Sequence, residues 1–318
     1  MSRKYIYIIS LSIIVALSLL LFLSNKPSSV GISFYHWKNS YQLDNTQLKQ
    51  AHAKHIYIKF LDIAYSDKLE VIATRFIKPA PANAIPVVYI DNQVLKHGLV
   101  DKLYHLIKQK INPAKYTQLQ LDCDWSLMTK TRYFTLLRRL KRDYGELSAT
   151  IRLHQIKYFK KTGVPPVSKG VLMYYNMSNI QDITIKNYIL DIDTAKKYHV
   201  NFEQYPLPLD LALPLYSQVR VIRQHKVVTV LSDKILDQSQ LKPLTDNKFE
   251  VIQAHYLQSN YLYKNDILVI DQVTQDDLLT AAKGLRLLIQ PKEIIFYDFS
   301  HAKNFTYETL ESIAHLFN

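Results

Sequence analysis

The stretch Leu119–Ser126, LQLDCDWS, places Asp122, Asp124 and Ser126 on alternate positions, with Leu121, Cys123 and Trp125 between them. Alternate side chains of a strand share a face. Extended backwards, Gln118 and Gln120 join the polar face and Leu119 joins the apolar one. Either this is an ordinary half-exposed strand, or its polar face lines something. Leu147–Ile156, LSATIRLHQI, repeats the pattern: Ser148, Thr150, Arg152 and His154 share one face, and Leu147, Ala149, Ile151 and Leu153 the other. If the two strands are neighbours, their polar faces meet, and Asp122 and Asp124 lie near Arg152 and His154.

Working outward, further strand-like segments are expected at Gly31–Trp37, His55–Ile63, Ala84–Ile90, Gly170–Met177, Leu209–Ser217 and Glu293–Ser300, each rich in β-branched and aromatic residues. Helical spacing runs between them, at Asn45–Lys54, Val100–Ile111, Thr129–Tyr144 with Thr129 as N-cap, Leu190–His199 and Thr306–Phe317. Strands alternating with helical patterns imply parallel βαβ units. Eight of them imply an α/β fold of the (β/α)8 TIM-barrel class, with the site at the C-terminal ends of the strands. The segment from Val219 to Gln275 is too long for one crossover and reads as an insertion between the seventh and eighth strands. It opens with a hairpin over Val219–Leu231 that turns near Gln224-His225.

The N-terminus carries a separate signal. Tyr5–Ser24 is an uncharged run preceded by Arg3 and Lys4. A stretch of about 20 apolar residues spans a bilayer as a helix, and the preceding cations favour a cytoplasmic N-terminus. No small-x-small cleavage site follows, so residues 1–29 read as an uncleaved signal anchor and linker, with a cleaved signal peptide as the alternative. The domain from 30 to 318 is then expected outside the cytoplasm, in the periplasm if the cell is Gram-negative.

Composition excludes several classes. The 318 residues are 48% hydrophobic, ample for a large core. Only six are glycine, and neither GxGxxG nor GxxxxGK[ST] occurs, so no nucleotide cofactor is expected. The formal net charge of +13 reads as a basic soluble surface that tolerates an anionic membrane or cell-wall polymer. No nucleic-acid-binding motif accompanies it, and no nucleic-acid partner is expected. No HxxxH, HExxH or HxH spacing supports a metal. The single cysteine, Cys123, falls on an apolar face and reads as a buried inert thiol.

The expected strand ends are polar and aromatic. Asp122 and Asp124 are the candidate catalytic residues. Arg152, His154, Tyr35, Trp37, Tyr89, Tyr175, Asn176, Tyr216 and Asp298 are candidates for substrate binding, with Asp298 or Asp91 as a second carboxylate across the mouth. Carboxylates beside a guanidinium are expected to stay ionised with lowered pKa. The bland alternative is that buried Asp and Arg only satisfy one another. Tyrosine accounts for 23 residues, and aromatic faces with polar tips suit sugar rings or any barrel rim.

LQLDCDWS resembles the fourth-strand motif DxxDxDxE of chitinase-type glycoside hydrolases. The resemblance implies that Asp122 and Asp124 occupy the last two Asp positions, the latter orienting a substrate acetamido group, and that Trp125 matches the residue before the catalytic Glu. Ser126 stands where that Glu protonates the leaving group, and Leu119 stands at the first Asp. Serine cannot serve as a general acid at neutral pH, so the family mechanism does not carry over. Together with YIKFLDI, IPVVYI, LSATIRLHQIKY and GVLMYYNM, the chain also resembles exported bacterial TIM-barrel proteins of unassigned activity, remotely similar to glycoside hydrolases, from which it departs by lacking a lipid-attachment cysteine. These resemblances imply an extracytoplasmic, glycoside-hydrolase-like barrel that acts on or binds a carbohydrate or cell-wall glycan. The alternative is a non-catalytic glycan-binding or structural envelope protein on a degenerate hydrolase scaffold.

Overall fold

The computed structural model describes residues 29–232, 238–257 and 259–318. The expected membrane-spanning run, Tyr5–Ser24, lies outside them. Among the described residues no helix is long and apolar enough to cross a membrane.

Eight strands form a closed parallel barrel: β1 (Gly31–His36), β2 (Ile56–Tyr65), β3 (Ala84–Ile90), β4 (Gln118–Asp122), β5 (Glu146–Arg152), β6 (Lys169–Met173), β7 (Leu209–Pro214) and β8 (Glu293–Tyr297). They are adjacent in chain order, and β1 closes the ring by pairing with both β8 and β2. An antiparallel extension, Leu69–Ala73, returns along β2. Parallel neighbours need crossovers, and the main ones carry α1 (Val100–Lys110), α2 (Lys130–Leu140) and α3 (Gln275–Leu285); α4 (Tyr307–His315) follows β8.

The register of β4 on β5 sets Leu119 opposite Leu147, Gln120 opposite Ser148 and Leu121 opposite Ala149. Like therefore meets like on each face. The apolar face is sealed under the helices: Leu119, Leu121, Cys123 and Trp125 are all buried. Trp125 stacks on Tyr133 of α2 at 5.3 Å, and its indole N–H donates to the Thr162 carbonyl at 3.2 Å. Its role is packing.

The opposite face builds a hydrogen-bonded interior. At the N-terminal end, Glu293 accepts from Ser33, from His55 Nδ1 at 2.8 Å and from Tyr57 at 3.2 Å, and Lys169 bridges Asp210 at 2.9 Å and Glu146 at 3.1 Å. Burial alone would raise Glu293, but the bonds from His55 and Ser33 and the nearby Lys169 hold it below the usual carboxylate range. Above this layer Tyr35 donates to Gln120 Oε1 at 2.8 Å, and Gln120 Nε2 donates to Ser148 at 3.4 Å.

Between β7 and β8 lies a five-stranded antiparallel sheet, in the order Lys226–Ser232, Gln218–Arg223, Ile267–Asp271, Lys248–Val251, Leu241–Thr245. Its first hairpin turns at Gln224 and His225, both at positive φ (50° and 60°), as a two-residue hairpin turn of this kind requires. Val219, Val221, Leu231, Val251 and Leu268 form a core of its own. On the opposite face of the sheet, toward the loop after β6, the Arg220–Asp271 pair is wholly buried, with Nε and Nη2 of Arg220 donating to the two carboxylate oxygens at 2.8 and 2.9 Å.

Several strands end sooner than expected, β7 at Pro214 and β8 at Tyr297 among them. β4 stops at Asp122, β6 stops at Met173, and β5 stops at Arg152, where Leu153–Lys157 turns into a short helix. His154 therefore does not share a strand face with Arg152. Thr129 precedes α2 but caps none of its amides. Its hydroxyl instead accepts from the Ser126 amide at 2.9 Å and donates to Asn92 Oδ1 at 2.5 Å.

Candidate functional site

Two cavities of about 480 and 490 Å³ adjoin at the C-terminal mouth of the barrel and share Arg152, Met173, Tyr175 and Asn176. The first is walled by Asp124, Ser126, His154, Tyr188 and Tyr198; the second by Trp37, Tyr89, Asp122, Tyr216, Tyr297 and Asp298, with Val230 and Ser232 from the antiparallel sheet. Together they make one two-lobed cleft. Of the residues expected at the site, all but Tyr35 and Asp91 line it. Tyr35 is fully buried and spends its hydroxyl on Gln120; it supports the floor from beneath and is not available for substrate binding. Asp91 is not across the mouth: its side chain caps a short helix by accepting from the Gln93 amide at 2.7 Å.

The floor is aromatic. Tyr297 is central, with ring centroids 5.4 Å from Tyr175, 5.6 Å from Tyr216 and 5.9 Å from Trp37. Trp37 is half-buried and carries Lys59 Nζ over its ring at 5.6 Å. A bulge in β2 between Lys59 and Leu61 accompanies this placement. Tyr216 donates to Asn176 Oδ1 at 2.7 Å. Asn176 itself sits at φ 52°, a region in which Asn is tolerated better than most residues.

The carboxylates differ sharply in what already holds them. Arg152 clamps Asp124 through Nε and Nη2 at 2.8 and 3.1 Å. Asp298 accepts from the Ser300 amide at 3.0 Å, the Ser300 hydroxyl at 2.5 Å and His301 Nδ1 at 2.9 Å. Desolvation pushes Asp298 up, yet those bonds from His301 and Ser300 win and keep it low. Asp62 takes Lys59 at 3.0 Å. Among the described residues Asp122 has one donor, the Thr150 hydroxyl at 2.6 Å. Burial, reinforced by the neighbouring Asp124, pushes Asp122 up to about 6 against the pull of Arg152. This corrects the expectation of a lowered value: Arg152 spends its hydrogen bonds on Asp124 and leaves Asp122 desolvated beside a like charge.

Met173, Tyr188 and His301 also line the cleft, beyond the residues expected from the sequence. Tyr188 belongs to the loop after β6, a polar run without periodicity. That loop is tied to the antiparallel sheet: Arg220 Nη2 donates to the Ile185 carbonyl at 2.9 Å, and the Tyr188 amide donates to Asp271 Oδ1 at 3.1 Å. The signal for His301 is the run Asp298-x-Ser300-His301, a spacing in which an Asp caps the turn that follows it. Among the described residues no group of three or more His, Cys, Asp or Glu is placed to hold a metal ion.

No family model matches the chain, and no curated protein matches it. Solved structures do. The spore cortex-lytic enzyme SleL of Bacillus cereus superposes with a TM-score of 0.57 at 12% identity, over 91% of this chain and 74% of that one. A chitinase of Chromobacterium violaceum gives 0.53 at 10% identity, over 91% and 98%. A glycoside hydrolase family 18 N-acetylglucosaminidase of Paenibacillus barengoltzii gives 0.50 at 11% identity, over 89% and 99%. At these identities the likeness is one of fold: the chain shares a (β/α)8 barrel with these three enzymes.

Proposed function

We propose that this chain is an extracytoplasmic, membrane-anchored barrel that binds a carbohydrate of the chitin or cell-wall type in its two-lobed cleft without turning it over. One observation carries the reading: the cleft is open and aromatic-floored, yet two of the carboxylates that line it, Asp124 and Asp298, are already held by cationic or hydroxyl donors. Ser126, at the position where the resembling hydrolases carry their acid, offers only a hydroxyl beside Thr129 at 3.2 Å. Trp37 and Tyr297 give sugar rings apolar faces to stack on, and Asn176, Arg152 and His154 give polar edges to hydroxyl and acetamido groups.

A second reading, slow hydrolysis, is favoured by Asp122 alone, whose carboxyl at about 6 is protonated in part near neutrality. Titration of the chain with N-acetylglucosamine oligosaccharides, followed by product analysis after long incubation, separates the two. Binding without cleavage is expected. Trp37→Ala is expected to weaken binding about three- to tenfold through loss of one stacked ring. Absence of binding to chitin-type and cell-wall oligosaccharides alike would end the carbohydrate reading. Cleavage that Asp122→Asn abolishes would replace binding with hydrolysis.

A further inference from the structure

Parallel strands fix which end of the barrel each residue occupies. Gly31 opens β1 at the end opposite the cleft, where its amide donates to the Lys292 carbonyl at 3.0 Å. The chain ahead of Gly31 therefore leaves from that end. The loops that feed the strands, and the C-terminal ends of the returning helices, gather on the same face. They bring Lys54 before β2, Lys115 before β4, Lys141 and Arg142 after α2, Arg286 after α3 and Lys292 before β8. All six are exposed. Among the described residues none of them forms an ion pair with a carboxylate.

The acids at this end are mostly engaged. Asp210 and Glu293 are buried, Glu146 is held by Lys169, and Asp143 is held by Lys108; Glu203 stays exposed before β7. Directly after Arg286 stands Leu287, 83% exposed, the most exposed large apolar side chain among the described residues.

We propose that this end face docks on an anionic lipid bilayer, its cations toward the headgroups and Leu287 entering the interface, so that the cleft is held facing away from the membrane. The proposal rests on the anchored reading given above and adds to it a contact and an orientation. The linker Asn25–Val30 reaches at most about 20 Å when extended. An anchor crossing the bilayer at Tyr5–Ser24 therefore keeps this face, and not the cleft, next to the headgroups. Near an anionic surface each cation is worth about fivefold in occupancy. A soluble polyanion would be served by the cations alone. The tether leaving this face and the exposed leucine within its basic ring are accounted for by a lipid surface.

The full chain reconstituted in phosphatidylglycerol discs or in phosphatidylcholine discs tests this. An environment-sensitive fluorophore is placed at Leu287→Cys or, as a control beyond Ser126 at the cleft end, at Met128→Cys, whose native side chain is 75% exposed. The label at 287 is expected to shift to the blue in phosphatidylglycerol discs and not in phosphatidylcholine discs, while the label at 128 reports water in both. Adding Lys54→Glu, Lys141→Glu, Arg142→Glu and Lys292→Glu is expected to abolish the shift, a loss on the order of 10²-fold or more in the docked population. A label at 287 that stays in water on incorporated protein overturns the docking and leaves the anchor standing. An equal shift with soluble polyglycerol phosphate and no lipid assigns the face to a polyanion and overturns the bilayer. Failure of the chain to associate with either disc overturns the anchor and the docking together.

Discussion

Asp122→Asn is expected to be more stable than the parent above pH 6, by about 3 kcal/mol, and equal to it near pH 4. The folded carboxyl titrates at about 6 against an ordinary value of 3.8. Two units at about 1.4 kcal/mol each give the magnitude. Because the folded value lies above the unfolded one, the favourable contribution of the protonated carboxyl is complete below pH 4. It is lost as the pH rises from about 4 to about 6, since in that window the unfolded chain has released the proton and the folded chain has not. Above 6 both states are ionised and the loss is constant. Asparagine removes the charge that burial and Asp124 oppose, and its carbonyl still accepts from Thr150. Urea denaturation of both proteins at pH 4, 5, 6 and 7 gives the difference curve directly. A flat difference, or a less stable Asp122→Asn at pH 7, would show that Asp122 is not desolvated in the folded protein.

Asp271→Ala is expected to cost about 3–5 kcal/mol, because it leaves the Arg220 guanidinium buried without a counter-charge. Both side chains are 0% exposed. The damage should not stay in the antiparallel sheet. Asp271 also accepts the Tyr188 amide, and Arg220 also donates to Ile185, so the loop that walls the first lobe loses part of its attachment and keeps the bonds of Asn187 to Gln272 and of Asn247 to Lys186. Hydrogen exchange should rise in residues 182–189 as well as in 218–223 and 267–271, and glycan affinity should fall with it. Asp193→Ala, which removes an ion pair to Lys196 from a side chain 92% exposed, should leave stability unchanged. Arg220→Met combined with Asp271→Leu should recover much of the loss, since matched apolar residues carry no stranded charge. Equal stability of Asp271→Ala and the parent would mean that solvent reaches Arg220.

The barrel was legible because alternation in β4 and β5 is a period-two signal that survives into the register: Gln120 faces Ser148 and Leu121 faces Ala149. The hairpin at Gln224-His225 was legible from two apolar runs meeting over a short polar pair. What misled was where each strand stops. Leu153 fits an alternating strand end and the buried side of a helical turn equally well; Ile156, three residues on, fits only the turn, and packing chose the turn. Tyr35 carries an amphipathic ring that suits a rim or an interior, and only the position of Gln120 decides it. The pKa of Asp122 was out of reach for a similar reason. It turns on which carboxylate the one nearby guanidinium selects, a choice made by a few ångströms of geometry that residue types do not encode.

Cys123 is the chain's single thiol and is fully buried against the helix layer at the end of β4. Modification by a small reagent therefore needs that helix layer to lift from the ring of strands. The rate at which the native protein takes up such a reagent is a built-in clock for barrel breathing, readable without any engineered probe, and it offers one common scale on which each substitution above can be ranked.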